Sequence, residues 1–113
     1  MHKPIKIAVF AGDGVGPEIM QEALKVLKII SDKKNIGIEL TEGSIGGSAY
    51  DIYGVPLPEE GLNLALQSDA MLLGAVGGPK WEGLDYSVRP ERALLGLREK
   101  LGLFANLRQV VVF

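Results

Sequence analysis

Arg89, Arg92, Arg98 and Arg108 are the only arginines of the chain, and all fall in or beside the stretch PERALLGLREKLGLFANLR, residues 90–108. Residues 1–88 carry their positive charge only as lysine. A guanidinium can hold a carboxylate or phosphate through two parallel hydrogen bonds, which an ammonium cannot do, so this asymmetry points to anion recognition. Arg98 follows Leu94 by one helical turn, which puts a charge and an apolar side chain on one face. With Arg108 approaching from the next extended segment, the set would grip a small acid bearing an alkyl branch. A helix-to-sheet ion pair accounts for Arg98 equally well, and Arg92 reads as solvated helix charge.

Two glycine motifs are the other chemical candidates. GDGVGPE lies between a strand and a helix, where phosphates meet backbone N–H groups. Its glycines at 12, 14 and 16 run G-x-G-x-G, not the G-x-G-x-x-G dinucleotide fingerprint, and Pro17 removes an N–H that a phosphate would use. A tight turn is therefore the expectation. GAVGGPKW puts glycines at the C-terminal end of a strand, where open α/β sheets bind ligands; close backbone approach to a cofactor and plain turn chemistry both fit. Trp81 and Tyr86 in the following loop suit either the flanking of a planar ring or anchoring of the loop on the core.

Composition narrows the classes. A chain of 113 residues, 47 % hydrophobic, is long enough for one folded domain with a real core. A net charge of -2 offers no field for nucleic acid. The absence of cysteine removes disulfides, thiolate metal sites and thiol catalysis. His2 is the only histidine, at the start of the chain, which leaves no histidine base or multi-histidine metal site. The apolar run Ile5 to Phe10 is too short for a membrane span or a signal-peptide core, so a cytoplasmic protein is expected.

The elements that must position these residues follow from periodicity. Ile5 to Phe10 reads as a buried strand, and a helix starts near Pro17, whose missing N–H suits the first helical turn. Ile19, Ala23, Val26, Leu27 and Ile30 give it an apolar face to pack on a sheet. Ile36 to Leu40 is a second strand, GSIGGSAYDIYGVPLP an irregular loop, and Glu59 to Gln67 a second helix. Asp69 to Val76 reads as an interior strand of a parallel sheet. The long loop GGPKWEGLDYSVRP follows; loops of that length are more often functional than accidental. Glu91 to Leu101 is a helix ended by Gly102, and the chain is extended from Phe104, with VVVF as a fourth strand. The alternation predicts an α/β fold with an incomplete, parallel-type sheet and flanking helices.

In this order, GDGVGPE, GAVGGPKW, PE-x-x-LL-x-LR and GLFANLR resemble the N-terminal part of the NAD(P)-dependent β-decarboxylating dehydrogenases. That family comprises enzymes acting on isopropylmalate, isocitrate, homoisocitrate and tartrate. The resemblance covers essentially the whole chain, and GAVGGPKW with Leu94-Leu95 favours the isopropylmalate branch. It implies oxidation of a 2-hydroxyl with NAD and then decarboxylation, with Mg2+ or Mn2+ as Lewis acid, in leucine biosynthesis by a cytoplasmic homodimer. By resemblance, Arg98 and Arg108 hold substrate carboxylates, Leu94 and Leu95 contact the alkyl branch, and Glu91 lies between substrate and nicotinamide. The cofactor-contacting positions would be Val15 and the loop Gly78, Pro79, Lys80, Trp81, Glu82, Gly83, Leu84, Asp85, Tyr86, Ser87, Val88, Arg89, Pro90 and Glu91.

The chain departs from the family pattern at Gln109, where proline usually follows the arginine. The family's catalytic lysine and tyrosine, its metal-binding aspartates and most of its nucleotide site fall beyond the equivalent of Phe113. The expectation is therefore an N-terminal fragment. Residues 1–100 would belong to the first, cofactor-side α/β domain and residues 101–113 would begin a truncated second one. Such a piece would bind no metal and be catalytically silent alone. The other reading is a short α/β anion-binding module without catalysis.

Overall fold

The first strand, β1 (Ile5–Gly12), alternates two buried sets, and this decides the layering of the fold. The structure, a computed structural model, describes residues 3–113; His2 lies outside the described residues. Ala8 and Phe10 point to one face of the sheet and Ile7 and Val9 to the other, as the period of two in a strand requires. β1 therefore needs cover on both sides. Helix α1 (Gly16–Lys34) covers one, placing Met20, Leu24 and Leu27 on Ile7 and Val9. On the other side Ala8 and Phe10 join Ile45, with Ala65 from α3 (Glu59–Gln67) and Ala93 and Leu97 from α4 (Glu91–Lys100).

Strand β1 is central, with β2 (Ile38–Glu42) and β3 (Ala70–Ala75) parallel on its two sides. The parallel α/β expectation holds. The expectation that the third strand is interior does not: β3 is an edge among the described residues, half-buried along most of its length. The apolar face assigned to α1 is also corrected. Ile19, Ala23, Val26 and Ile30 face outward, and Leu27 alone of the expected set packs inward, beside Met20 and Leu24. Both stripes are apolar at helical spacing, so periodicity could not choose between them.

Two further corrections concern segments with no local signal. GSIGGSAYDIYGVPLP is not irregular throughout, since Gly47–Tyr53 forms a short helix, α2, that ends at Gly54 in the left-handed region (φ 76). The VVVF strand is not formed. Residues 103–113 join no sheet and are exposed, Phe104 by 99 %. A strand needs partners for its N–H and C=O groups, and this segment pairs with neither edge of the sheet, β2 or β3.

The glycines of GDGVGPE have a packing reason. Gly12 (φ 79) lies so close to the Ala75 carbonyl that a Cβ would overlap it, and one at Gly16 would overlap the Ala11 carbonyl. They let the β1–α1 turn press against the end of β3, which agrees with the tight-turn reading.

Candidate functional site

Helix α4 divides its side chains by spacing. Ala93 and Leu97, four apart, are buried in the core, while Glu91, Leu94, Leu95 and Arg98 recur at i, i+3, i+4 and i+7 along another side. Glu91 is exposed, Leu94 and Arg98 half-buried, and Leu95 44 % exposed. A carboxylate, two branched alkyl groups and a guanidinium are thus set in one line by helical geometry alone. The ion pairs among the described residues are Lys25–Glu22 and Lys80–Asp51, so the helix-to-sheet pair that would have explained Arg98 structurally is not made there.

The helix closes at Gly102 (φ 66), in agreement with its position in the sequence. The N–H of Leu103 donates to the Arg98 carbonyl at 2.8 Å and that of Gly102 to the Glu99 carbonyl at 3.2 Å, turning the chain back over the last turn. Arg98 then lines a cavity of about 420 Å³ with Leu103, Phe104, Ala105, Asn106 and Leu107, a size that suits a small organic acid. Arg108 is exposed and not part of that lining, so the structure does not bring the two arginines to one cavity.

The loop from Gly78 to Pro90 contains two short 3₁₀ turns, Pro79–Trp81 and Tyr86–Val88. Gly78, Trp81, Glu82, Arg89, Pro90 and Glu91 line a cavity of about 130 Å³. That is well below the several hundred Å³ of a complete small-molecule pocket, so these residues can form one wall of a dinucleotide site but not enclose it. The Glu91 carboxylate lies over Gly77 (φ 99), where a Cβ would come within 2.7 Å of Oε1. Trp81 and Tyr86 make separate contacts. Trp81 is half-buried over Gly47 of α2, whereas Tyr86 is 64 % exposed with the Arg92 guanidinium 5.1 Å from its ring centre. Lys80, Gly83, Leu84, Asp85, Ser87 and Val88 complete the loop, and Asp85 accepts from the backbone N–H and hydroxyl of Ser87. Val15, at the start of α1, is exposed.

Two carboxylates that the sequence did not single out hold this region. Asp13, 3 % exposed, accepts from the backbone N–H groups of Gly47 (2.7 Å), Ser48 (2.7 Å) and Gly77 (2.8 Å). It ties the β1–α1 turn, the start of α2 and the exit of β3 together. Asp51 on α2 accepts from Lys80 Nζ at 2.6 Å and from Trp81 Nε1 at 3.1 Å. The only local signal for Asp13 is a polar residue between glycines, and Asp51 has none.

The hydrogen bonds from Lys80 and then Trp81 hold the Asp51 carboxyl below its ordinary pKa. A folded-state pKa below the unfolded one means that these contacts are fully present at neutral pH and are lost as pH falls through the lowered value. Emission of Trp81, the only tryptophan, should accordingly stay flat from pH 8 to about 5 and change only below about pH 4. A transition near neutrality would contradict this assignment.

A concavity of about 570 Å³ lies between α1 and β2 and contains none of the candidate residues. It is lined mainly by Leu24, Leu27, Ile38 and Leu40, with Gln21, Lys25, Lys28 and Ser31 from α1, and none of the four arginines reaches it, so α4 and the loop remain the candidate site. Among the described residues no three carboxylate, histidine or cysteine side chains come together as metal ligands, and no helix is long and apolar enough to cross a membrane.

The chain is 58 % identical over 109 residues to the 3-isopropylmalate dehydrogenase of Methylococcus capsulatus and 56 % identical over 108 residues to that of Hydrogenovibrio crunogenus. Each match covers 96 % of this chain and 30 % of the relative, so the chain spans under a third of their length. Among solved structures, a β-decarboxylating dehydrogenase of Thermococcus kodakarensis superposes with a TM-score of 0.71 at 32 % identity, over 88 % of this chain and 27 % of the other. An isocitrate dehydrogenase of Methylococcus capsulatus gives 0.61 at 28 % identity, over 73 % and 22 %. The family model described as isocitrate/isopropylmalate dehydrogenase matches residues 6–113, and the chain belongs to that family.

Proposed function

We propose that this chain supplies the substrate-recognition helix and a cofactor-facing loop of an NAD-dependent 3-isopropylmalate dehydrogenase, which oxidises and decarboxylates its substrate to 2-oxoisocaproate in leucine biosynthesis. The observation that carries the reading is the stripe on α4: Leu94 and Leu95 beside Arg98, with Glu91 one turn away. The guanidinium would hold a substrate carboxylate, the leucines would receive the isopropyl branch, and Arg108 would take a second carboxylate on closure of the tail. Glu91, over Gly77 at the start of the loop, would stand between substrate and nicotinamide.

NAD, when bound, supplies the hydride acceptor. The backbone and side chains of residues 78–90 fit one wall of its site, in keeping with the small cavity they line. The described residues do not offer a ligand set for Mg2+ or Mn2+, so the chain's own contribution is to bind and orient. It fixes a carboxylate and an alkyl group relative to the loop, the part of catalysis that comes from positioning. The division at residue 100 between a cofactor-side domain and a second domain, homodimer formation and a cytoplasmic location belong to the same proposal.

Isocitrate, homoisocitrate and tartrate carry polar or charged groups where isopropylmalate carries an alkyl branch, and burying a charge against two leucines costs far more than burying an isopropyl group. Changing Leu94 and Leu95 to Thr and Ser in the full-length enzyme should therefore cut the preference for isopropylmalate over isocitrate by about 10- to 100-fold in kcat/KM ratio. Unchanged discrimination would remove these residues from the pocket.

A further inference from the structure

The long loop is held down from outside itself, and the points of attachment are few. Within residues 78–90 the polar contacts are local: the 3₁₀ turns, Asp85 with Ser87, and Arg89 Nε donating to the Leu84 carbonyl at 3.0 Å. At its start Gly77, in the left-handed region, donates to Asp13 and serves as a fixed root. Tyr86 lies under the Arg92 guanidinium of α4, and the side-chain hydrogen bonds that tie the loop to another element both go to Asp51. One carboxylate oxygen takes the Lys80 ammonium and the other the Trp81 indole N–H. The Trp81 ring rests on Gly47, where the absence of a side chain lets it lie against the helix backbone; a Cβ there would run into the ring carbons. Lys80 also sits 5.4 Å from the centre of that ring. One short helix thus presents a bare glycine as a seat and, one turn on, a carboxylate that fastens the seated residue.

We propose that α2 is the docking platform of the loop and that Asp51 is a positioning residue, a latch which sets the loop in the place from which it meets the dinucleotide. The inference rests on the cofactor reading of residues 78–90 given above. Asp51 touches neither substrate nor cofactor; it acts through Lys80 and Trp81. Its partners are exposed enough for the latch to open without unfolding the core, since the Lys80 side chain is 68 % exposed and that of Asp51 36 %. The loop then has a docked and an undocked state, and binding of the dinucleotide draws on the docked fraction.

The test uses the full-length enzyme with Asp51→Ala and Asp51→Asn, read by hydrogen exchange of the peptides covering 78–89 and by steady-state kinetics. In D51A, exchange across the loop is expected to rise about three- to tenfold and KM for NAD to rise by a similar factor, with kcat within twofold and exchange in β1 and α4 unchanged. D51N should fall between, because its amide oxygen still accepts from Trp81 while the charge opposite Lys80 is gone. Unchanged loop exchange in D51A, or an increase spread equally over the core, would overturn the latch. Faster loop exchange with an unaltered KM for NAD would overturn its role in cofactor binding. An enzyme that turns over no NAD in its unmodified form would sink the functional reading itself, and the exchange arm would still decide whether Asp51 holds the loop.

Discussion

Replacing Arg98 by lysine in the full-length enzyme is expected to lower kcat/KM for isopropylmalate by about 100-fold, while the melting temperature moves little. The guanidinium is a planar fork that pairs with a carboxylate through two hydrogen bonds, and losing such a charged pair from a closed site costs about 2–4 kcal/mol. Stability should be spared because the half-buried Arg98 is outside the ion pairs of the described residues. Alanine should be at least as damaging as lysine, and added guanidinium should restore part of the lost rate to the alanine variant. A change below threefold in R98K would remove Arg98 from substrate binding and leave α4 as a packing helix.

The second large effect is on folding. Asp13→Ala deletes the acceptor of three N–H groups from two other segments, the start of α2 and the exit of β3, one of them in a buried bond, and leaves those donors facing a space that water must fill. Each orphaned group costs about 1–3 kcal/mol, so the loss is about 3 kcal/mol or more, a large share of the stability of a domain this size. The melting temperature of D13A should fall by about 10 °C or more. Thermal melts followed by circular dichroism decide it, and a shift within 2 °C would mean that the three donors find other partners. Asp13→Asn should fall between, because an amide keeps one accepting oxygen and places an NH2 against donors.

The contrast between α4 and α2 marks what could be read from residues alone. The signals that define α4 are local: its buried pair is four apart, the stripe of Leu94, Leu95 and Arg98 follows the 3.6-residue period, and Gly102 ends it, so spacing sufficed to place the helix. Helix α2 is short, enters from a glycine and receives its acceptor from Asp13, 34 positions earlier; nothing within GSAYDIY announces it. Two other errors have the same origin. Helix α1 carries two apolar stripes, and only the sheet it meets selects Met20, Leu24 and Leu27 over Ile19, Val26 and Ile30. The composition of β3 suits an interior strand, but its place in the sheet depends on which segments pair with it. The alignment of Glu91, the leucines and Arg98 along α4 was legible, whereas the cavity that Arg98 lines without Arg108 and the fastening of the loop by Asp51 were set by long-range contacts.

The placement of β1 at the centre of the sheet has a consequence for how the chain is made. Of the three strands β1 is made before the other two and acquires its neighbours at residues 38–42 and then 70–75, so its second edge stays unpaired until some sixty further residues have been synthesised. Parallel pairing must wait for the crossover segments and closes large loops, which slows it. During that interval the apolar segment Ile7 to Phe10 is open to chaperones and to the same segment on neighbouring nascent chains. Pausing of translation before Ala75 should lengthen this exposure, whereas pausing after Ala75 should leave the yield of folded protein unchanged.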